Sequence, residues 1–177
     1  MTQNDDYFRK EVPSTALYDA IANAETGGED DPWIRTKYKE APGGSTAYGP
    51  CQLTKSLAQG YLNFKSHLFN YTEKEYLEDF VKQGELFAKY GNEPELEGYE
   101  KQYDYGGSGH LTHKTHKLLY KNAVCKMLNE IYQRHNGDLE KTWLEWRFGP
   151  SGGKDDRYRK EFYEKLADDG YYEQFNS

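Results

Sequence analysis

The stretch "STALYDAIANAETGG", residues 14–28, indicates the fold class because its apolar residues recur with the period of an α-helix and the pattern has a clear end. Leu17, Ile21 and Ala24 recur at the spacing of one helix face, and Gly27 begins a pair of glycines that stops the helix. Apolar patterns of the same period return in much of the chain that follows. The sequence therefore predicts a mainly α protein.

Capping residues mark the ends of the predicted helices, and Ser14 would cap the first one. The remaining helices are predicted from the same periodicity and from caps of this kind. We expect a helix from Thr54, longer ones over 74–90 and 117–134, a short one capped by Asp138, and a last one over 156–167. Residues 29–50 are rich in Pro, Gly and Ser, which leaves room for at most a small β-hairpin. The expected architecture is a single domain over residues 13–177 behind a flexible tail, residues 1–12.

Composition and charge narrow the range of partners. The chain has 177 residues with 17 tyrosines, which is unlike a disordered protein and suits either a sugar-binding cleft or wet edges of the core. A net charge of −7 without a basic stripe argues against nucleic acid. No apolar run approaches the roughly 20 residues that cross a bilayer, and the N-terminus lacks the apolar core of a secretory signal. We expect the protein to be synthesised in the cytoplasm and not to insert into a membrane. We expect Cys51 and Cys125 to be reduced thiols.

Glu25 stands at the end of the first predicted helix, where a carboxyl group has two possible roles. At about 100° per residue it lies about 40° around the helix from Ile21, so it shares the buried side. Burial and the partial negative charge of the helix end both raise the pKa of a carboxyl group, which suits a general acid. The alternative is a solvated residue at the helix end.

A second segment, "GGSTAYGPCQLT" at residues 43–54, places Gln52 after a turn that contains Gly49. The amide of Gln52 can both donate to and accept from the acetamido group of a sugar. Together with "AETGG", this segment resembles the goose-type lysozyme and lytic transglycosylase superfamily. Its members carry a Glu near a helix end and, later in the chain, a motif close to Ser-x-x-Gly-Ala-x-Gly-x-x-Gln. Ala47, Gly49 and Gln52 match that motif, whereas Thr46 replaces a glycine.

The segment "LEWRFGP", residues 144–150, matches a third motif of the superfamily more loosely. That motif is close to Ala-x-Tyr-Asn-x-Gly, and here Trp146 replaces the tyrosine, Arg147 replaces the asparagine and Gly149 is retained. In the second motif, Pro50-Cys51 similarly replace Leu-Met. Residues 66–116 look like an insertion that interrupts the resemblance.

The resemblance implies a lysozyme-like fold, mainly α or α+β, that cleaves the β-1,4 bond between N-acetylmuramic acid and N-acetylglucosamine. Glu25 would protonate the leaving oxygen and then act as a base. Either it closes a 1,6-anhydro ring, as in lytic transglycosylases, or a second carboxylate places water, as in muramidases. The candidates for that second carboxylate are Asp30, Asp31 and Glu40, with Glu145 beside the third motif. The candidates for substrate contact are Ser45, Tyr48, Gln52 and Trp146, and for Ser45, Tyr48 and Trp146 a turn or packing role is an equal alternative.

The resemblance also implies a setting. The chain looks like a bacteriophage endolysin or virion-associated enzyme that acts on Gram-negative walls in the periplasm. A holin or the assembled virion would deliver it. We expect it to bind peptidoglycan glycan strands as a monomer, with no cofactor and no metal.

Two rival hypotheses belong to other classes of protein. The segment "HLTHKTH" places His110, His113 and His116 three residues apart, and two of them with an outside ligand could hold zinc in a peptidoglycan peptidase or amidase. The simpler interpretation of that segment is a solvated surface run. The other rival is a phage structural or wall-binding module that keeps the fold without activity.

Overall fold

Helices make up most of the described chain. The computed structural model describes residues 11–27, 47, 49–90, 113–150, 153 and 158–173, with only the backbone at 83–90 and 113–116. The helices are α1 Ser14–Thr26, α2 Lys55–Phe64, α3 Tyr71–Tyr90, α4 His113–Arg134, α5 Leu139–Phe148 and α6 Arg159–Asp168, with a 3-10 turn at Ser66–Leu68. These ranges contain no β-strand, so the predicted mainly α class is confirmed. Most of the segment proposed for a hairpin, 29–50, lies outside them.

The chain divides into two compact units. Unit 1 comprises residues 1–30 and 125–177, and unit 2 comprises residues 31–124. Helix α4 contributes to both, because the boundary falls between Val124 and Cys125. The single domain expected over 13–177 stays a prediction, since two compact units can belong to one folding domain.

The core of unit 1 forms where α1 packs against α6. Leu17 and Ile21 of α1 are fully buried, as their spacing predicts, and so are Trp143 of α5 and Phe162 of α6. The rings of Trp143 and Phe162 stack with their centroids 5.1 Å apart. Offset aromatic stacking of this kind adds specificity to the burial of apolar area. This core holds the last turn of α1, where Glu25 lies.

The ends of α1 differ in part from the prediction. Gly27 ends the helix in the left-handed conformation, with φ 69°, as expected of a glycine after the last turn. The expectation that Ser14 caps the other end is wrong, because Ser14 is already helical and Pro13 holds the capping position without a side-chain hydrogen bond. The Pro13 carbonyl accepts from the N–H groups of Ala16 and Leu17 instead. Proline suits this position because its fixed φ favours an extended residue before the helix.

Unit 2 contains α2 packed against α3. Thr54 caps α2 by accepting from the N–H of Leu57 at 3.2 Å. Helix α3 begins at Tyr71, three residues before the prediction, because Asn70 and Glu73 form a reciprocal capping box with two hydrogen bonds of 2.9 Å. Leu77, Phe80 and Val81 are buried, as the apolar pattern of this segment predicts, and Tyr76 is buried beside them.

Two later helices also begin away from their predicted positions. Helix α4 begins at His113, before the predicted residue 117, and α6 begins at Arg159, after the predicted 156. Helix α5 begins where predicted, since the Asp138 side chain accepts from the N–H of Lys141 at 3.0 Å. Among the residues that the structure describes, no helix is long and apolar enough to cross a membrane.

Candidate active site

Glu25 lies in the last turn of α1 with its carboxylate almost fully covered. Its side chain is 8% exposed, and Ala24 and Thr26 on either side of it are buried. Arg147 of α5 approaches the carboxylate, with Nη1 3.4 Å from Oε2. Both residues belong to unit 1. Glu25 is therefore a largely covered acid with a cationic neighbour.

Aromatic rings hold the guanidinium of Arg147 from its other sides. The guanidinium carbon lies 5.3 Å from the ring centroid of Tyr158 and 5.9 Å from that of Phe148. Both distances fall within the range of cation–π attraction. The side chain of Arg147 is 31% exposed, so water screens it only in part. These contacts favour one orientation of the guanidinium toward Glu25.

The pair of Glu25 and Arg147 suits a proton-transfer group that is used twice. Burial favours the protonated carboxylic acid, whereas the neighbouring guanidinium favours the carboxylate. A general acid needs the first form before the bond breaks, and a general base needs the second form afterwards. Arg147 would stabilise the charge that appears on Glu25 once its proton has left.

The second predicted motif forms a tight turn in unit 2. Gly49 has φ 75°, and a Cβ at this position would lie 2.5 Å from Cζ of Tyr120 in α4. The hydroxyl of Tyr120 accepts from the N–H of Cys51 at 3.1 Å and from that of Leu53 at 3.4 Å. Gln52, between these two donors, has φ 53°. The turn therefore has a shape that requires glycine at one position and constrains the glutamine at another.

Comparisons with known proteins add no relative. The chain matches no family model, no curated protein and no solved structure. The likeness to the goose-type lysozyme and lytic transglycosylase superfamily therefore rests on the three sequence motifs, and the fold stated from the structure is a mainly α one.

Several predicted site residues lie outside the described part of the chain. These are Ser45 and Tyr48 among the substrate contacts and Asp30, Asp31 and Glu40 among the second carboxylates. Of the other two predicted contacts, Gln52 is half-buried in the turn of unit 2, and Trp146 is 8% exposed on α5 of unit 1. The burial of Trp146 agrees better with its packing role than with contact to a sugar.

Glu145, the acid beside the third motif, is engaged in a structural ion pair. Arg134 binds it with two hydrogen bonds of 2.6 Å, and His135 Nε2 lies 2.8 Å from Oε1. Burial raises the pKa of this carboxyl, but the hydrogen bonds from Arg134 and His135 outweigh burial and leave the pKa below its ordinary value. A carboxylate held in this way is poorly placed to exchange protons or to position water. Glu145 is therefore a weak candidate for the second carboxylate.

The zinc hypothesis gains no support from the described residues. No group of three or more His, Cys, Asp or Glu side chains in them could hold a metal ion. His113 and His116 lie on the first turn of α4, but their side chains and all of His110 are outside the description.

Sequence reasoning missed the residues that contact the two predicted motifs. In the sequence, Arg147 is notable only because it replaces the asparagine of the third motif, but in the structure its side chain contacts Glu25, 122 positions earlier in the chain. Tyr120 entered only as part of a helix, although its hydroxyl organises a turn 69 positions earlier in the chain. A charged residue where the motif has a neutral amide was the one available signal, and it pointed to Arg147.

Proposed function

We propose that this protein degrades peptidoglycan by cleaving the β-1,4 bond between N-acetylmuramic acid and N-acetylglucosamine. Glu25 acts as the general acid and then as the base. The observation that carries the proposal is the covered carboxylate of Glu25, 8% exposed in the last turn of α1, with Arg147 Nη1 3.4 Å away. The resemblance of the sequence motifs to those of the goose-type lysozyme and lytic transglycosylase superfamily supports Glu25 as this acid.

The chemistry follows from the two protonation states of Glu25. The acid form donates its proton to the glycosidic oxygen as the bond breaks and positive charge develops on the sugar ring. The carboxylate that results lies beside Arg147, which stabilises its charge and holds its orientation. It then takes a proton either from the C6 hydroxyl of the muramic acid, which closes the anhydro ring, or from an attacking water. Both routes begin at the same carboxyl group, and the identity of the product separates them.

The biological setting is part of the proposal. We infer a bacteriophage enzyme that reaches the wall of a Gram-negative host either through a holin or from the virion. Its partner is the glycan strand of peptidoglycan, and it works as a monomer. A lysozyme-like arrangement of the helices is likewise inferred from the motifs.

Mass spectrometry of the fragments released from purified Gram-negative sacculi tests the proposal. The wild-type protein should release muropeptides, and Glu25→Gln should release them about 10²–10⁴-fold more slowly. Anhydro products, lighter than reducing muropeptides by about 18 Da, the mass of one water, would indicate the lyase route. Glu164→Gln, which changes an acid on the exposed face of α6, serves as the matched control. A wild-type protein that binds sacculi without releasing fragments would support the wall-binding rival and refute an enzyme.

A further inference from the structure

We propose that Tyr120 is a positioning residue that holds the side chain of Gln52 ready to bind an acetamido group of the glycan. The inference rests on the proposed function, because it assigns a task within the binding of that substrate. It concerns residues of unit 2 alone: Tyr120 of α4 and the turn at Gly49–Leu53.

The first step is the backbone of the turn. The N–H groups of Cys51 and Leu53, which flank Gln52, both donate to the hydroxyl oxygen of Tyr120, at 3.1 and 3.4 Å. Backbone N–H groups can converge in this way in a turn that contains a left-handed residue, and such a concavity can bind an anion. Here a tyrosine hydroxyl occupies that position. Its two bonds hold the Pro50–Cys51 and Gln52–Leu53 peptide groups, which lie before and after the Cys51–Gln52 peptide bond.

The second step is the cost of that conformation. Gln52 has φ 53°, a region that residues other than glycine, asparagine and aspartate rarely adopt. Such strain persists only when surrounding contacts outweigh it. The contacts are those of Tyr120, which is fully buried and whose ring lies against Gly49. Because a side chain at Gly49 would meet the ring, the glycine and the tyrosine act together.

The third step is the side chain of Gln52. Its Nε2 donates to the Gly49 carbonyl at 2.9 Å, and the backbone N–H of the same residue donates to that carbonyl at 3.0 Å. A carbonyl oxygen only accepts, so the amide nitrogen must face it and Oε1 must face away. Within the part of the chain that the structure describes, no hydrogen bond to Oε1 is recorded. A half-buried acceptor with a fixed direction suits the N–H of an acetamido group, which the glycan carries on every sugar.

The kinetic test uses Tyr120→Phe with soluble glycan strands prepared from peptidoglycan. Loss of the hydroxyl frees the turn, so KM should rise roughly tenfold, the equivalent of one neutral hydrogen bond in a binding site. The value of kcat should change little, because the contact is the same in the ground state and the transition state. Tyr163→Phe is the matched control, since it removes a buried hydroxyl of unit 1 that donates to Glu140 at 2.6 Å. It should leave KM unchanged.

A double-mutant cycle separates positioning from a general structural effect. Gln52→Met keeps the size of the side chain and loses its amide, so it should raise KM by a similar factor. If Tyr120 acts through Gln52, the double variant should be no worse than Gln52→Met alone. Two effects that multiply would overturn the proposal. Gly49→Ala is the second variant if Tyr120→Phe fails to fold, because its Cβ would push the turn away from the ring, and it should show the same non-additivity.

An NMR measurement tests the inference without the reaction. In the ¹⁵N-labelled protein, Tyr120→Phe should shift the side-chain amide signals of Gln52, and Tyr163→Phe should leave them in place. Unchanged Gln52 signals in Tyr120→Phe would overturn the positioning role even if the wild type degrades peptidoglycan. Conversely, a wild type that releases no muropeptides would refute the proposed function, while shifted Gln52 signals would still support the positioning.

Discussion

The ion pair of Glu145 and Arg134 should make a measurable contribution to the stability of unit 1, and Glu145→Gln tests it. The carboxylate is 7% exposed and receives three hydrogen bonds, two of 2.6 Å from Arg134 and one of 2.8 Å involving His135. A hydrogen bond to a charged group contributes about 1.5–3 kcal/mol. The desolvation of Glu145 cancels part of that sum, and Arg134 is 41% exposed, so water can solvate it in the variant. We therefore expect a loss of about 2–3 kcal/mol in the free energy of unfolding.

The dependence on pH follows from the direction of the shift. The pKa of Glu145 lies below its ordinary value in the folded protein, so the folded state binds fewer protons at this group than the unfolded state. The stabilisation is then fully present above the unfolded pKa of about 4.3. It is lost as the pH falls through the lower folded value. The difference between the wild type and Glu145→Gln should accordingly shrink as the pH falls below about 4.3.

Urea denaturation at several pH values measures both quantities, with Glu130→Gln as the matched control. Glu130 also contacts Arg134, at 3.2 Å, but as an i,i+4 pair on α4. Such pairs contribute only about 0.3–0.5 kcal/mol. A Glu145→Gln variant no less stable than Glu130→Gln, or a difference that grows as the pH falls below about 4.3, would refute the reasoning.

Three further predictions concern the proposed acid, its cationic neighbour and a helix cap. Glu25→Gln should lower the rate of muropeptide release by about 10²–10⁴-fold, the usual contribution of a general acid, without a matching fall in thermal stability; an active variant would exclude Glu25. Arg147→Met should lower the rate roughly fivefold, as expected from losing about 1 kcal/mol of screened charge stabilisation, and Arg147→Lys should recover part of it. Equal rates for the two Arg147 variants would show that charge is not its contribution. Thr54→Ala should destabilise the protein by about 1 kcal/mol in urea denaturation, since it removes the cap of α2. Thr72→Ala, at an exposed position of α3, is its control, and an equal loss there would contradict the cap.

The helices were predictable because their signals are local. The apolar faces of α1 and α3 recur within single turns, and Asp138 and Gly27 mark ends within a few residues of the pattern they close. The wrong boundaries have local causes too. The capping box at Asn70 and Glu73 could have been recognised from the sequence, since it is a fixed spacing of two residue types. The predicted capping position, Ser14, is one residue too late, because proline can precede a helix without a side-chain cap.

The candidate site was predictable only in its first residue. Helical geometry placed Glu25 on the covered side of α1, and its side chain is indeed covered. No periodicity connects it with Arg147, since that contact depends on how α5 packs in unit 1. The sequence therefore predicts the covered position of Glu25 but not its contact with Arg147. Tertiary packing decides such pairs, and a single sequence carries no record of it.

The second motif also depends on a tertiary contact that the sequence does not predict. In the sequence, Gly49 and Gln52 belong to a motif that resembles one of a known superfamily, and the motif gives no reason for their spacing. In the structure the reason is the hydroxyl of Tyr120, which binds the N–H groups on both sides of Gln52 and leaves no space for a side chain at Gly49. The residues of the motif thus form one side of a contact, and Tyr120 of α4 forms the other side. A substitution at Tyr120 should consequently raise KM for the glycan by about as much as a substitution within the motif.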